Sequence, residues 1–270
     1  MTFSDEILAP PLAEPLHLTE VKVHVEEPAA STRHDTLLSA LVSVARRKVE
    51  TLCGRALVRQ QRILRLDRFP ECIHLPVAPV RAVQSIQYVD TDGVTQTLSS
   101  ALYRVDSASA PGRITPAYGE VWPTSQAITN AVTVKYTAGY VVPIASFDTS
   151  ADTITAKGHD LAADTLVVLT NSGGSLQSGL AALTHYYVKA PATDTLQLSL
   201  TAGGAAVDIT ATTAGSGQSF VGELEAPIRA AMLLIIGHLF EHREEVGDFE
   251  TFQLPMAAGS LLEAYRVMRF

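Results

Sequence analysis

Ala226-Pro-Ile-Arg-Ala-Ala-Met-Leu-Leu-Ile-Ile-Gly-His-Leu-Phe-Glu-His-Arg-Glu-Glu245 is the longest apolar stretch of the chain. It is also the one that reads as a fully buried helix. Pro227 suits the first helical position, where its missing N–H costs nothing and its φ is already set. Ile228, Met232, Ile235 and Leu239 share one face at i+3/i+4 spacing, and Leu234, Ile236 and Phe240 widen that face. Such a helix needs other elements over it, so the remaining chain is expected to pack around it. The stretch also holds His238-Leu-Phe-Glu241-His242, an H-x-x-E-H string that can be read as a zinc peptidase site.

Composition narrows the choice of class. A chain of 270 residues with 47% apolar residues can build a core without disulfides or metals. Cys53 and Cys72 lie outside any C-x-x-C spacing and read as two free thiols in a reducing compartment. The start, Met-Thr-Phe-Ser-Asp-Glu, lacks the basic and apolar regions of a signal peptide. The run Met232–Phe240 is too short to span a bilayer. A soluble, cytosolic protein with no membrane partner is the expectation. The net charge of −8 argues against gripping nucleic acid by its phosphates, but not against letting it slide past.

Taken in order, residues 1–16 carry three prolines in their second half and read as a tail or arm. Leu18-Thr-Glu-Val-Lys-Val-His-Val-Glu-Glu27 fits two readings. Val21, Val23 and Val25 alternate like a strand, whereas Leu18, Val21 and Val25 fit a helical face that Thr19 could cap. Thr32 and Asp35 resemble a capping box at the start of an amphipathic helix, with Leu37, Leu38, Leu41, Ala45, Val49 and Leu52 inward. Gly54 is placed to end it in the left-handed conformation. The period then changes to two. Val58–Leu66, Cys72–Val77, Val83–Val89, Val94–Leu98 and Val132–Thr137 read as strands, and Leu102–Val105 as a further one. Asp90-Thr-Asp-Gly93 reads as a hairpin turn, while Pro111-Gly112 and Trp122-Pro123 mark other turns.

Between about Ile144 and Gly222 the composition shifts to Thr, Ala, Ser, Gly and Asp. Short β patterns recur at Thr153–Thr155, Thr165–Thr170, His185–Lys189, Thr195–Leu200 and Ala206–Thr210, separated by Gly-rich turns. A low-complexity linker would share the composition. The alternation in Thr195-Leu-Gln-Leu-Ser-Leu200 and the pair Tyr186-Tyr187 favour a packed module inserted into a host domain. A short helix with Leu261, Leu262, Tyr265 and Met268 as its stripe closes the chain after Pro255. The linker before it, Gly247-Asp-Phe-Glu-Thr-Phe-Gln253, carries two phenylalanines that belong either to an interface or to the host's own body.

The chemical motifs are weak. His238 and His242 could hold zinc with Glu241 as base, but a third ligand is needed, and Glu250 and Glu263 are poorly placed for it. The plainer reading has one histidine near the core and one on the solvated helix end. No G-x-S-x-G elbow or phosphate-cradling loop occurs. Asp148, Asp152, Asp160 and Asp164 are spaced like loop-edge carboxylates, not like a calcium loop. Arg46-Arg47-Lys48 reads as a solvated face, with an interface or DNA contact as the alternative.

The order of these features resembles the head–tail connector, or adaptor, proteins of tailed bacteriophages. The resemblance is carried by Val49-Glu-Thr-Leu-Cys-Gly-Arg-Ala-Leu-Val58, Leu66-Asp-Arg-Phe-Pro70, Ile73-His-Leu-Pro76 and Pro79-Val-Arg-Ala-Val-Gln-Ser-Ile-Gln-Tyr88. Val121-Trp-Pro123, Val134-Lys-Tyr-Thr-Ala-Gly-Tyr140, Ala226-Pro-Ile-Arg-Ala-Ala and His238-Leu-Phe-Glu-His-Arg-Glu-Glu245 continue it. It implies an α+β fold: a helical-bundle adaptor core with a short-stranded β region over 1–143 and 223–270. Residues 144–222 would form an inserted small all-β domain. It also implies a non-enzymatic virion neck protein, assembled in the host cytoplasm, that joins the portal to the tail or stopper and extends the DNA channel. The expected partners are the portal protein, neighbouring subunits in a twelve-membered ring, and a tail-side stopper or tail-completion protein. Genomic DNA would pass without specific binding, and no cofactor is implied. Phe249, Phe252, Leu254, Leu261, Tyr265 and Phe270 are the expected portal or neck interface. Two other functions stay open: a carrier whose β module binds capsid or carbohydrate, and a zinc-dependent hydrolase built on His238, Glu241 and His242.

Overall fold

A computed structural model describes residues 3–8, 11, 13–171, 176–210, 218–220, 224–242 and 256–267. The chain divides into two compact units. The first comprises Met1–Pro10, Gly54–Gly139 and Val267–Phe270; the second comprises Pro11–Cys53 and Tyr140–Arg266.

The first unit is built on an antiparallel five-stranded sheet. Its strands are β1 (Phe3–Ile7), β2 (Gln60–Leu66), β4 (Val80–Val89), β5 (Thr95–Thr97) and β8 (Val132–Ala138), in the order β1-β2-β8-β4-β5. A three-stranded sheet, β3-β7-β6, is formed by β3 (Ile73–Leu75), β6 (Tyr103–Asp106) and β7 (Gly112–Pro116). The alternation in β8 sends Val132, Val134, Tyr136 and Ala138 to one face, where all four are buried. Leu64 and Leu66 of β2, Ile86 of β4, and Ile73, Leu75 and Ile114 of the smaller sheet complete that core. β4 is longer than its alternation implies, because register shifts between Val80 and Ala82 and between Val83 and Ser85 interrupt the period of two.

One feature here departs from the sequence expectation. The supposed tail contains β1, which pairs with β2 from Phe3↔Leu66 to Ile7↔Arg62. It is held by a polar cluster: Arg62 Nε donates to Asp5 Oδ2 at 2.9 Å, and the Tyr136 hydroxyl donates to Asp5 Oδ1 at 2.9 Å. Burial, followed by the Asp5 charge, pushes the Tyr136 phenol well above its ordinary range. Gly139 ends β8. It has φ +132°, and a Cβ there would lie 2.5 Å from the Arg59 backbone, so only glycine fits.

The second unit combines four helices with a seven-stranded antiparallel sheet. α1 (Leu18–His24) settles the ambiguous segment as a helix: Val21 is buried while Val23 is 68% exposed. The Lys22 ammonium is drawn in by Asp35 at 2.6 Å and by the Ser31 carbonyl at 2.6 Å. α2 (Asp35–Cys53) buries Leu38, Val42, Ala45, Val49 and Cys53, a seam rotated slightly from the expected face. It ends, as expected, at Gly54 with φ +66°. α3 (Ala226–Glu241) buries Ile228, Ala231, Met232, Ile235 and Ile236. Leu233, Leu234, Leu239 and Phe240 remain half-buried, so the helix is covered on one side and not all round. α4 (Met256–Glu263) turns Ala258 and Leu262 inward and packs against α2 and α3.

The sheet runs β10-β11-β14-β13-β12-β15-β9, from strands β9 (Val142–Pro143), β10 (Ser146–Asp148), β11 (Thr153–Thr155), β12 (Leu166–Asn171), β13 (His185–Lys189), β14 (Thr195–Ser199) and β15 (Gln218–Phe220). Its two end strands, β9 and β10, are separated only by Ile144 and Ala145. Three Cα steps reach at most about 11 Å, so the sheet curls until its ends nearly meet. Ile154, Val167, Leu169, Tyr186, Val188, Leu196, Leu198 and Ile209 fill its interior. Ala206–Thr210 is not a strand. Val207 N–H donates to the Leu198 carbonyl and Ile209 N–H to Asp152 Oδ1, which hold the segment as a loop.

The expected helical-bundle core is therefore not the architecture. Among the described residues the chain is mainly β, with three antiparallel sheets and four helices. The physical reason lies in residues 60–138, whose one-sided alternation builds a complete sheet core of its own. It is not an appendage to helices. No helix among the described residues is long and apolar enough to cross a membrane.

Replacing Asp5 by alanine strips the largely shielded Arg62 of its carboxylate and is expected to cost about 2–3 kcal/mol. Urea unfolding should show this as a lower midpoint. Ser4→Ala on the same strand should stay within about 0.5 kcal/mol.

Candidate interaction surfaces

The H-x-x-E-H string occupies the last turn of α3. His242 is the C-cap, its Nδ1 lies 3.0 Å from the His238 carbonyl, and the two rings are 4.7 Å apart at 32°. Among the described residues no group of three or more His, Cys, Asp or Glu side chains could hold a metal, so no third ligand joins this pair. Glu250 lies outside the described residues.

The remaining sequence candidates serve the fold. Asp148 accepts from the Ser150 hydroxyl at 2.6 Å and the Ser150 N–H at 2.9 Å, and these donors hold its carboxyl below the usual range. Asp152 and Asp164 accept the Ile209 and Gly203 N–H groups at 2.8 Å, bracing loops across the module. Of the run Arg46-Arg47-Lys48, Arg46 is buried, with Nε 2.8 Å from Glu14 and Nη1 2.9 Å from Glu50. Only Arg47 and Lys48 face solvent. Tyr186 is a core residue whose hydroxyl accepts the Ala181 N–H at 2.8 Å, which leaves Tyr187, half-buried, as the outer member of the pair. Cys53 is a buried thiol outside any disulfide, with its Sγ 4.0 Å from the Leu262 carbonyl. Cys72 is free and half-buried, and burial pushes its thiol up.

Of the expected interface residues, Leu261 and Tyr265 are half-buried beside the inward Leu262. Phe249, Phe252, Leu254 and Phe270 lie outside the described residues.

Two surface features were not legible as such. In the first unit, residues 117–131 join β7 to β8 in a braced loop. Ala117 N–H donates to the Leu102 carbonyl at 3.0 Å, and Glu120 N–H closes a turn on Ala117 at 2.9 Å. Farther along, Gln126 and Asn130 N–H groups donate at 2.9 Å to the Val89 carbonyl and the Asp67 carboxylate. Trp122 stacks on Phe69 with centroids 5.0 Å apart at 11°, and Phe69 meets Tyr88 edge-on at 5.6 Å. This base presents a tip on which Tyr118 is 99% and Val121 84% exposed. Trp122-Pro123 reads as a simple turn in sequence. The available signal was two large apolar residues between glycine and proline, without period.

In the second unit, an open groove of about 440 Å³ is lined by Val23, Val168 and Leu183. Its polar lining includes His185 and the bidentate pair Arg229–Glu20, with contacts of 2.7 and 2.6 Å. The units also differ in charge. The first holds ten basic against eight acidic side chains, net +2; the second holds ten basic against twenty acidic, net −10. The overall −8 is thus carried wholly by one unit.

No protein-family profile matches the sequence, and no curated protein matches it. Solved structures do share its fold. One is a chain from the neck of an empty gene transfer agent (GTA) particle computed with C6 symmetry. It has a TM-score of 0.57 and 16% identity, and the match covers 100% of this chain and 97% of that one. A chain from the virion of a native GTA particle gives 0.55 and 17% over the same shares. A chain from the neck of a native GTA particle computed with C12 symmetry gives 0.51 and 18%, again over 100% and 97%. The likeness is one of fold and runs the full length of the chain.

Phe69→Ala removes the surface on which the protein's one tryptophan rests. Red-shifted emission and faster acrylamide quenching of Trp122 are expected, with an unchanged far-UV circular dichroism spectrum.

Proposed function

We propose that this chain is a structural, non-enzymatic component of the neck of a phage-like particle and acts as a ring adaptor between portal and tail-side proteins. The observation that carries the reading is the full-length fold likeness to neck chains computed with C6 and C12 symmetry. The ordered motifs that resemble head–tail connectors point the same way. In this reading neighbouring copies form the ring, a portal and a stopper or tail-completion protein bind its two faces, and DNA passes through unbound. The strong negative charge of the second unit supports a passage that repels phosphate wherever that unit faces DNA.

The reading predicts that the chain co-purifies with assembled particles and that antibody-gold labels the head–tail junction. Loss of the gene should leave heads without tails. Label on tail fibres or the capsid shell, or tailed particles in its absence, would refute it. The expected docking role of the C-terminal segment is best tested by substitution. α4 buries Ala258 and Leu262, so truncation would remove core. Phe249→Ala with Phe252→Ala should lower portal binding while thermal stability holds.

The module over 144–222 belongs to this proposal as an insertion. β9 and β15 pair as Ser219↔Pro143 and Phe220↔Val142, so the chain enters and leaves the module side by side. Replacing 144–217 by a short Gly-Ser turn should leave the Trp122 emission of the first unit intact. A collapse of that signal would show that the module is integral.

A further inference from the structure

We infer that neighbouring copies meet through a heterologous contact in which the Tyr118–Val121 tip of one copy seats in the Val23–Val168–Leu183 groove of the next. The inference rests on the ring reading and names the contact that would build the ring. Three observations carry it. The tip presents Tyr118 and Val121, with the Glu120 carboxylate exposed between them, and its backbone is held in advance by stacking and hydrogen bonds, so little backbone freedom is lost when it docks. An exposed aromatic on a braced loop is the kind of residue that anchors interfaces. The groove's open surface is mainly apolar with a charged and polar rim, and its 440 Å³ has room for an aromatic and an aliphatic side chain together. Its Glu20 carboxylate and His185 ring offer the Tyr118 hydroxyl hydrogen-bonding partners.

Charge selects the occupant. The tip belongs to the unit with net +2 and the groove to the unit with net −10, so copies attract when first unit meets second unit. Pairing second units with each other would bring two strongly acidic bodies together. Distinct, complementary patches on one chain give head-to-tail contacts, and these close into rings when the rotation allows.

The test is a disulfide trap in assembled particles. The variant carries Tyr118→Cys and Leu183→Cys, with Cys72→Ser to remove the half-buried natural thiol; Cys53 is buried. On mild oxidation, non-reducing gels should show a ladder of this chain's multimers, and neither single-cysteine variant should give one. Particles that incorporate the double variant but give no ladder would overturn the contact and leave the neck reading standing. Absence of the wild-type chain from particles would overturn the neck reading and the contact with it. If the cysteine variant is not incorporated, Tyr118→Ala and Leu183→Ala decide. Each should lower incorporation several-fold, with the pair no worse than either alone. Additive losses, or no loss, would overturn the contact.

Discussion

The first unit depends on the central strand β8, whose buried face contacts both flanks of the sheet. Val132, Val134, Tyr136 and Ala138 have almost no exposed surface, and β8 pairs along its length with β2 on one side and β4 on the other. Every other part of the sheet is attached through it. β1 reaches the sheet only by way of β2, and the Tyr136 hydroxyl helps to hold β1 through Asp5. The strand must then leave the sheet at once. Gly139 does this by passing against the Arg59 backbone, closer than any side chain would permit.

That strand was plain in the sequence because its alternation is uninterrupted. β2, the hairpin at Asp90–Gly93 and α2 with its glycine cap were visible for the same kind of reason: local pattern and local geometry agree there. What could not be read was decided by distant partners. Phe3-Ser-Asp-Glu-Ile7 lacks the composition of a strand, and its pairing is set by Arg62 and Tyr136 far along the chain. α1 could be a strand by its valines; Lys22 settles it by reaching the loop before α2. The overall balance differs from the sequence expectation because an apolar helix such as α3 implies a bundle around it. In the structure it covers one side of itself with α1, α2 and α4, while the other core is made by strands.

The chemistry followed the same division. The H-x-x-E-H string and the run of aspartates look functional because their residue types can do chemistry. In the structure the aspartates brace loops, and the histidines end a helix. The surfaces that look fit for partners are made from unremarkable residues: a tyrosine and a valine on a loop, and valines and a leucine around a groove. Their meaning comes from exposure and bracing, which no spacing encodes. The charge asymmetry, by contrast, was present in the sequence all along. It becomes visible only when the chain is divided at 10/11, 53/54, 139/140 and 266/267, boundaries that composition does not mark.

The two-residue pairing of β9 with β15 also has a mechanical side. Both connections to the curled sheet leave at one edge, the one before β9 toward β8 and the one after β15 toward α3, so an outward pull on the sheet is carried by a single strand pair. Antiparallel strands pulled from adjacent ends open one residue pair at a time and do not slide as a block. Force applied through the curled sheet would therefore open a short zipper before it strained the helices beyond it.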